Sequence, residues 1–395
     1  MPNARGVRAL LITTDYPPDV GGLQTYSYRI ARDFPGGRLT HVLAGSDHAL
    51  QALPPPAAGV GLAWRNGRTR WRAFWWSLWS IPWYRFRFKT DFLLHMQWTT
   101  AIPSMLLSRL GTGTHYLVLV HGAELIDPER FVVRLFKKAV LSRADAVVAG
   151  SRHTAEIVGQ LGIKCRRLEV IPYGNPLEGG PAASAGHRTT QVTQGPRLLC
   201  MHRLVPRKGT ALLLDAIGQL AGLPWTLDIV GAGEEEANLK ERVRASGLGD
   251  RIRFRPPVDE AEKIRLLLDA SLFILPSLPP VENNHVEGLG LTLLEAQSLG
   301  LPVLAARTGG IPEAVLEGRT GVLFRAGDRD DLREKLAALL ASPDQLLAMG
   351  EAGPEWVRSH FSWKHGLARL AELMDEIAEE TRSGVRLPWS RRRRA

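Results

Sequence analysis

Short apolar runs alternate with amphipathic segments along the whole chain. "VRALLITT", "THVLAG", "DFLLHMQW", "HYLVLVHG", "DAVVAGS" and "LEVIPYG" predict strands in the first half. Between them, "GLQTYSYRIARDF" and "FVVRLFKKAVLSRA" carry helical spacing. The second half repeats the rhythm with "RLLCMHRL", "WTLDIVG", "RIRFRPP", "LFILPS" and "PVLAA". Strands that are apolar on both faces and alternate with helices predict parallel sheets covered on both sides. The expected fold is therefore α/β, with a doubly wound, Rossmann-like parallel-sheet domain occurring twice.

Residues 175–196, rich in Pro, Gly, Ser and Thr and without strand or helix period, read as a linker between the two domains. The expected division is an N-terminal domain over 1–178, a C-terminal domain over 195–365, and a C-terminal helix with a basic tail over 366–395 that packs back on the first. Two such domains facing each other leave a cleft at the carboxyl ends of their strands, where ligands of doubly wound sheets bind.

Composition narrows the class. A chain of 395 residues, 45% hydrophobic and 23% charged, is long enough for two cores. Its two cysteines, Cys165 and Cys200, fit neither a disulfide framework nor a metal motif, which points to a reducing, cytoplasmic setting. The N-terminal run is short and β-branched, with no cleavage-site pattern of a secretory signal. No apolar stretch has the length of about 20 residues needed to span a bilayer. The net charge of +10 favours polyanionic partners. That charge is concentrated: no acidic residue occurs over 48–90, a span that holds six of the eleven tryptophans, and the chain ends in "RRRRA".

Four segments carry candidate chemistry. In "HVEGLGLTLLEAQSLG", a strand-to-helix loop brings Glu287 beside Gly288 and Gly290, and the helix starts at Leu291 and Thr292. Free N–H groups there make an anion site, and Glu295, one turn in, suits a sugar or ribose hydroxyl. The same residues also read as a glycine loop before a core helix, with Glu287 at a solvated N-terminus. In "MHRLVPRKGT", Arg203 and Lys208 follow the first strand of the same domain; alone they read as solvated surface charge, and beside the helix start they suit a diphosphate, the arginine as a fork and the lysine as a point charge. In the first domain, Gly22 opens a helix and reads either as a place where backbone can approach a phosphate or sugar or as a plain turn. His121, at a strand end in "VLVHGAEL", reads either as a donor or proton carrier at a sugar, or as a structural histidine satisfied by backbone. "GAGEEE" lacks the third glycine of a dinucleotide fingerprint. "DRD", at 328–330, reads as a helix cap rather than a metal ligand, so no metal and no cofactor are assigned.

With these residues assembled, the chain resembles retaining glycosyltransferases of family 4, which have the GT-B fold. The resemblance runs from "PPDVGG" to "TGGIPEAV" and is carried by Glu287 and Glu295 in "EGLGLTLLE", by "G-x-P-V" from Gly300, by "GG-x-P-E" from Gly309, and by "RLVPRKG". It implies that Arg203 and Lys208 hold the donor's diphosphate together with backbone at Gly290, Leu291 and Thr292. Glu295 would take the ribose, Glu287 a hydroxyl of the transferred sugar, and Gly22 and His121 would approach from the other domain. The base would lie against backbone near Val258 and Gly231. "LVPRKG" with "VEGLGL" looks most like the mannosyltransferases of phosphatidylinositol mannosides, which implies a nucleotide-diphosphate sugar as donor, GDP-mannose or a UDP-sugar. A lipid-linked or glycan acceptor and metal-free, same-face transfer go with that resemblance.

The tryptophan- and arginine-rich segment that begins at Trp64 and ends at Lys89 has two readings. It suits a peripheral contact with anionic lipid on the inner face of the cell membrane, or a helix whose aromatics pack on the sheet while its arginines are solvated. Two other functions fit less of the sequence. A nucleotide-sugar 2-epimerase shares the architecture but calls for acid/base carboxylates in the cleft. A nucleic-acid-binding protein would explain "RRRRA", yet no such module is recognisable, and no nucleic acid is expected as a partner.

Overall fold

The apolar runs become parallel strands. The computed structural model describes residues 7–18, 21–46, 54–66, 70–126, 131–179, 195–280 and 287–383, and among them the chain forms two parallel sheets and divides into two compact units. The first unit comprises residues 1–173 and 363–395, the second residues 174–362.

The first sheet holds β1 (Ala9–Thr13), β2 (Leu39–Ser46), β3 (Gly61–Asn66), β4 (Phe92–His95), β5 (His115–Val120), β6 (Ala146–Ala149) and β7 (Leu168–Val170), in the order β3-β2-β1-β4-β5-β6-β7. Its helices are α1 (Gly22–Asp33), α2 (Arg70–Phe88), α3 (Ile102–Arg109), α4 (Ala123–Ile126), α5 (Phe131–Arg143) and α6 (Arg152–Gln160). The strands β1, β4 and β6 are buried at every position, as a sheet covered on both faces requires. The order reverses between β1 and β4, so the loops that follow these two strands open a crevice at the carboxyl edge.

The second sheet holds β8 (Arg197–Met201), β9 (Thr226–Val230), β10 (Ile252–Arg255), β11 (Leu272–Leu275), β12 (Val303–Arg307) and β13 (Gly321–Arg325), in the order β10-β9-β8-β11-β12-β13. Here the reversal lies between β8 and β11. Its helices are α7 (Thr210–Gly218), α8 (Glu236–Ala245), α9 (Glu260–Asp269), α10 (Leu291–Ser298), α11 (Ile311–Ala314), α12 (Arg329–Leu340) and α13 (Pro343–His360). Asp328 caps α12, its side chain accepting the Asp331 amide, so the "DRD" acids serve a helix start.

The last helix, α14 (Trp363–Ser383), belongs to the first unit. It buries Leu367, Leu370, Leu373, Met374 and Ile377 at helical spacing. Trp363 packs on Tyr26 of α1 at 5.1 Å between ring centroids. Arg38 pairs with Asp375 at 2.7 Å, and Arg369 reaches back to Glu169 on β7 at 3.1 Å. Of the stretch read as a linker, 180–194 lie outside the described residues. Its start is packed, with Leu177 buried and the Asn175 amide donating to Phe361 O at 2.8 Å in the second unit. The apolar pattern predicts neither β3 nor β13. Each is the outer edge strand at one end of its sheet. The basic tail also lies outside the described residues.

Leu373 is fully buried in α14. Leu373→Ala should cost about 2–5 kcal/mol of local stability by leaving a cavity. Amide hydrogen exchange should then quicken in β1, β2 and β7 while β8–β13 keep their protection. Loosening of the second sheet instead would contradict the assignment of α14 to the first unit.

Candidate active site

The carboxyl edge of the second sheet gathers one cluster. The chain leaves β8 at Met201, and Pro206–Lys208 form a single 3₁₀ turn that ends at Gly209 in the left-handed region, opening α7. Arg203 stands exposed on this loop, Arg207 is half-buried and Lys208 is buried. Across the strand-order reversal, the loop after β11 brings Glu287 to Lys208, and Nζ of the lysine donates to Oε2 of the glutamate. Burial alone would raise the Glu287 carboxyl, but Lys208 and Arg207 together hold it below the usual carboxylate range. The pair therefore stays ionised. Of the loop between β11 and Glu287, residues 281–286 lie outside the described residues.

Gly290 adopts φ +82 at the start of α10, a conformation in which a side chain is strained, so the helix opens without a β-carbon over its N-terminus. The amides of Leu291 and Thr292 have no intrahelical acceptor, and no acidic residue occupies the first turn. The positive end of the helix dipole is thus left facing the loop that holds Lys208 and Glu287. One turn on, the Glu295 side chain is 7% exposed and accepts from Lys263 Nζ of α9 at 2.6 Å. Burial pushes this carboxyl up, and Lys263 offsets only part of the rise. The two glutamates are each tied to a lysine of a different element.

The remaining second-unit candidates lie along the same edge. Gly231 ends β9 with φ +142, and a β-carbon there would collide with the His202 carbonyl; its amide donates to Arg255 O at 3.0 Å. The backbone after β9 is therefore pressed between the loops after β8 and β10. Val258, half-buried, precedes Asp259, the cap of α9, whose Oδ1 accepts the Glu262 amide at 2.8 Å. Arg203, Lys208, Gly231, Val258, Glu287, Gly290, Leu291, Thr292 and Glu295 thus share one sheet edge.

Three residues of this edge carry no motif of their own. Lys263 shows itself only as a helical lysine in sequence. His202 and Cys200 form a chain beneath Arg203. His202 Nδ1 donates to the Arg203 carbonyl at 3.0 Å, which leaves Nε2 to accept from the Cys200 thiol at 3.1 Å. Burial lowers the His202 imidazole to about 4, so it is neutral.

Gly22 and His121 belong to the first unit and make a second cluster. Gly22 begins α1, which has no acidic residue in its first turn. His121 follows β5, and both its ring nitrogens are engaged: Nε2 donates to Met96 O at 3.0 Å, so Nδ1 accepts from the Tyr173 hydroxyl at 2.5 Å. Burial lowers it to about 4, against a small opposing pull from the Met96 carbonyl and Asp15. Of the two readings of His121, the geometry favours the satisfied, neutral one, and a sugar contact would have to exchange with one of these bonds. Tyr26 of α1 meets its ring edge-on at 5.8 Å. Asp15, after β1, accepts from Gln24 of α1 at 3.0 Å and from Gln97, after β4, so it bridges the reversal in this sheet. Glu124 is half-buried and accepts the His121 amide at 2.6 Å. Sequence reading passed over Asp15, Gln24, Gln97 and Glu124 because single polar residues near strand ends carry no spacing signal.

The chain was compared with known proteins. The family model for a glycosyl transferase 4-like domain matches residues 3–174, and that for glycosyl transferases group 1 matches residues 187–356. A GDP-mannose-dependent alpha-(1-6)-phosphatidylinositol monomannoside mannosyltransferase of Mycolicibacterium smegmatis is 31% identical over 92% of this chain and 97% of its own length. The protein of that name from Mycobacterium tuberculosis is 29% identical over 93% and 98%. Among solved structures, a glycosyltransferase from Rickettsia africae aligns with a TM-score of 0.77 at 17% identity, over 95% of this chain and 99% of that one. Anabaena HepE, solved with UDP and glucose, aligns with 0.72 at 19% identity, over 93% and 99%. Sheets and relatives agree: the chain belongs to the group 1, family 4-type glycosyltransferases of the GT-B fold, enzymes that transfer a sugar from a nucleotide sugar.

Proposed function

We propose that this enzyme transfers a mannosyl group from GDP-mannose to a lipid-linked acceptor of the phosphatidylinositol mannoside type, with retention at the anomeric carbon and without a metal. The observation that carries the reading is the ionised Lys208–Glu287 pair beside the open start of α10. It sets a cation, a hydroxyl acceptor and free amides at the reversal point where such sheets bind ligands. The likeness to phosphatidylinositol monomannoside mannosyltransferases over nearly the full length of both chains supports the choice of donor and acceptor.

In this reading Arg203, Lys208 and the Leu291 and Thr292 amides take the diphosphate. Gly231 and Val258 offer backbone to the base, Glu295 takes the ribose, and Glu287 takes a hydroxyl of the sugar. The acceptor hydroxyl attacks the anomeric carbon on the face from which GDP departs. The C1–O bond breaks with its electron pair going to the β-phosphate, and that phosphate oxygen receives the acceptor's proton. Negative charge grows on the diphosphate as the bond breaks, so Lys208, Arg203 and the helix dipole stabilise the transition state more than the ground state. Glu287 and Glu295 are each bound to a lysine and serve as hydroxyl acceptors rather than nucleophiles. The enzyme works on the inner face of the cell membrane, meeting anionic lipid through the segment that begins at Trp64 and ends at Lys89.

Purified enzyme given a panel of GDP-, UDP- and ADP-sugars should turn over GDP-mannose fastest and yield the α-anomer. Lys208→Ala or Arg203→Ala should each lower turnover by about 10²- to 10³-fold, the scale for losing one charge-stabilising donor. Near-normal turnover in both variants would refute the diphosphate assignment.

The buried imidazoles set an acid limit. His95, lowered by burial to about 3, and His121 and His202, at about 4, are neutral in the folded chain. Their folded values lie below the unfolded value of about 6.5, so the stability they contribute is complete above that pH and is lost as pH falls towards 4. Each contributes a slope of up to about 1.4 kcal/mol per pH unit in that window. Urea unfolding followed from about pH 7 to about pH 5 should therefore show a steep loss before the carboxylates titrate. Stability that stays flat across this range would mean that the imidazoles are not held neutral.

A further inference from the structure

The first unit exposes an apolar face where a surface helix is normally polar. Every large apolar side chain that stands exposed among its described residues lies on α2, on α3 and its C-cap, or on α5. On α2 these are Trp79, Trp83 and Phe86, spaced along one stripe, with Trp79 78% exposed. On α3 they are Leu106 and the cap residue Leu110.

On α5 the usual pattern is inverted. Phe131, at 80%, leads an outward stripe with Val132, Leu135 and Phe136. Meanwhile Lys137 turns inward, where its Nζ donates to Leu125 O at 2.6 Å. The helix α3 packs against both α2 and α5, so the three stripes belong to one side of the first sheet.

The charge on this side has one sign. The helix α2 carries Arg85 and Arg87, α3 carries Arg109, and α5 carries Arg134, Lys138 and Arg143 on this side, and none of the three helices contains an acidic residue. Arg85 and Arg87 lie over the rings of Phe86 and Phe88, at 5.8 and 5.3 Å. A protein partner would need an apolar surface with a matching acidic rim. A bilayer of anionic lipid supplies both layers at once, hydrocarbon for the rings and headgroup charge for the cations. No helix among the described residues is long and apolar enough to cross a membrane, so these helices would lie along the surface.

We propose that α5, with α3 beside it, is a second bilayer-contacting element that joins α2 in one surface for anionic lipid, with the rings of Phe131 and Phe136 entering the headgroup layer. This rests on the membrane contact proposed above for the α2 segment and extends it to a helix that the sequence pattern presents as an ordinary amphipathic one. The surface fixes the orientation in which the first unit sits on the membrane, because three stripes define a plane where a single helix defines only a line.

The test uses the full-length protein and co-sedimentation with vesicles of phosphatidylcholine alone or mixed with phosphatidylglycerol. Wild type should bind only the anionic vesicles, and less at raised salt. Phe131→Ser with Phe136→Ser should weaken that binding by about tenfold or more, the scale of one aromatic side chain left in water. Arg134→Glu with Lys138→Glu should weaken it further as salt is lowered. GDP-mannose hydrolysis in solution should stay normal in all these variants, which separates loss of the surface from loss of the fold. Wild-type-like binding by the Phe131/Phe136 variant, with binding lost in Trp79→Ser/Trp83→Ser, would overturn the role of α5 and leave α2 alone at the membrane. Absence of wild-type binding would overturn the surface altogether, while retained hydrolysis would leave the glycosyltransferase reading standing. A wild-type dimer in ultracentrifugation that Phe131→Ser/Phe136→Ser dissociates would overturn it too, as a subunit interface.

Discussion

The ion pair between Lys208 and Glu287 is the contact on which the second unit's site depends. Two loops that are distant in sequence end at neighbouring strands, and the pair ties them together at the point where strand order reverses. Burying an ion pair brings little net stability, because desolvation consumes most of the attraction. What the pair does is hold both charges in place before any ligand arrives. In the proposed mechanism a phosphate beside the α10 amides would meet a lysine already desolvated and aimed, and the glutamate that neutralised it would become available for a sugar hydroxyl. The Lys263–Glu295 pair repeats the device one helical turn further on. Together they keep acidic side chains beside an anion site without repelling the anion.

The first unit solves its own crevice with neutral groups. Asp15 is wrapped by two glutamine amides, and His121 is held uncharged between a carbonyl and a tyrosine hydroxyl. Hydrogen bonds of this kind orient neutral hydroxyls, whereas the lysine pairs of the second unit suit phosphate. Tyr26 and Trp363 carry this packing through to α14, so the C-terminal helix supports the side chains around His121.

Much of this was legible in the sequence, for a physical reason that differs from part to part. Strands buried on both faces leave continuous apolar runs, and these marked β1, β4, β6, β8 and β11. The edge strands β3 and β13 were not marked, although β13 buries Leu323 and Phe324. The loop glycines were legible because a bare backbone is needed where a side chain is resisted, and Gly290 and Gly231 do adopt such conformations. Glu287 and Lys208, read on two strand-end loops, do meet as an ion pair. Lys263 was not legible, because its partner lies on another helix and only the folded chain brings them together. The outward stripe of α5 was missed because helical period reveals that one face is apolar but not which way it points. Lys137, on the buried side, reverses the expectation.

Lys208 and Glu287 pair with each other, and in the proposed mechanism they divide their work when the donor binds. Calorimetric titration of Lys208→Met and Glu287→Gln with GDP and with GDP-mannose tests it directly. The account predicts that Lys208→Met weakens both ligands severely. Glu287→Gln should leave GDP binding intact or tighter, since the lysine loses its competitor, while cancelling the extra affinity that the mannosyl group confers. If Glu287→Gln weakens GDP as much as Lys208→Met does, the pair is a structural strut and the donor's diphosphate binds elsewhere.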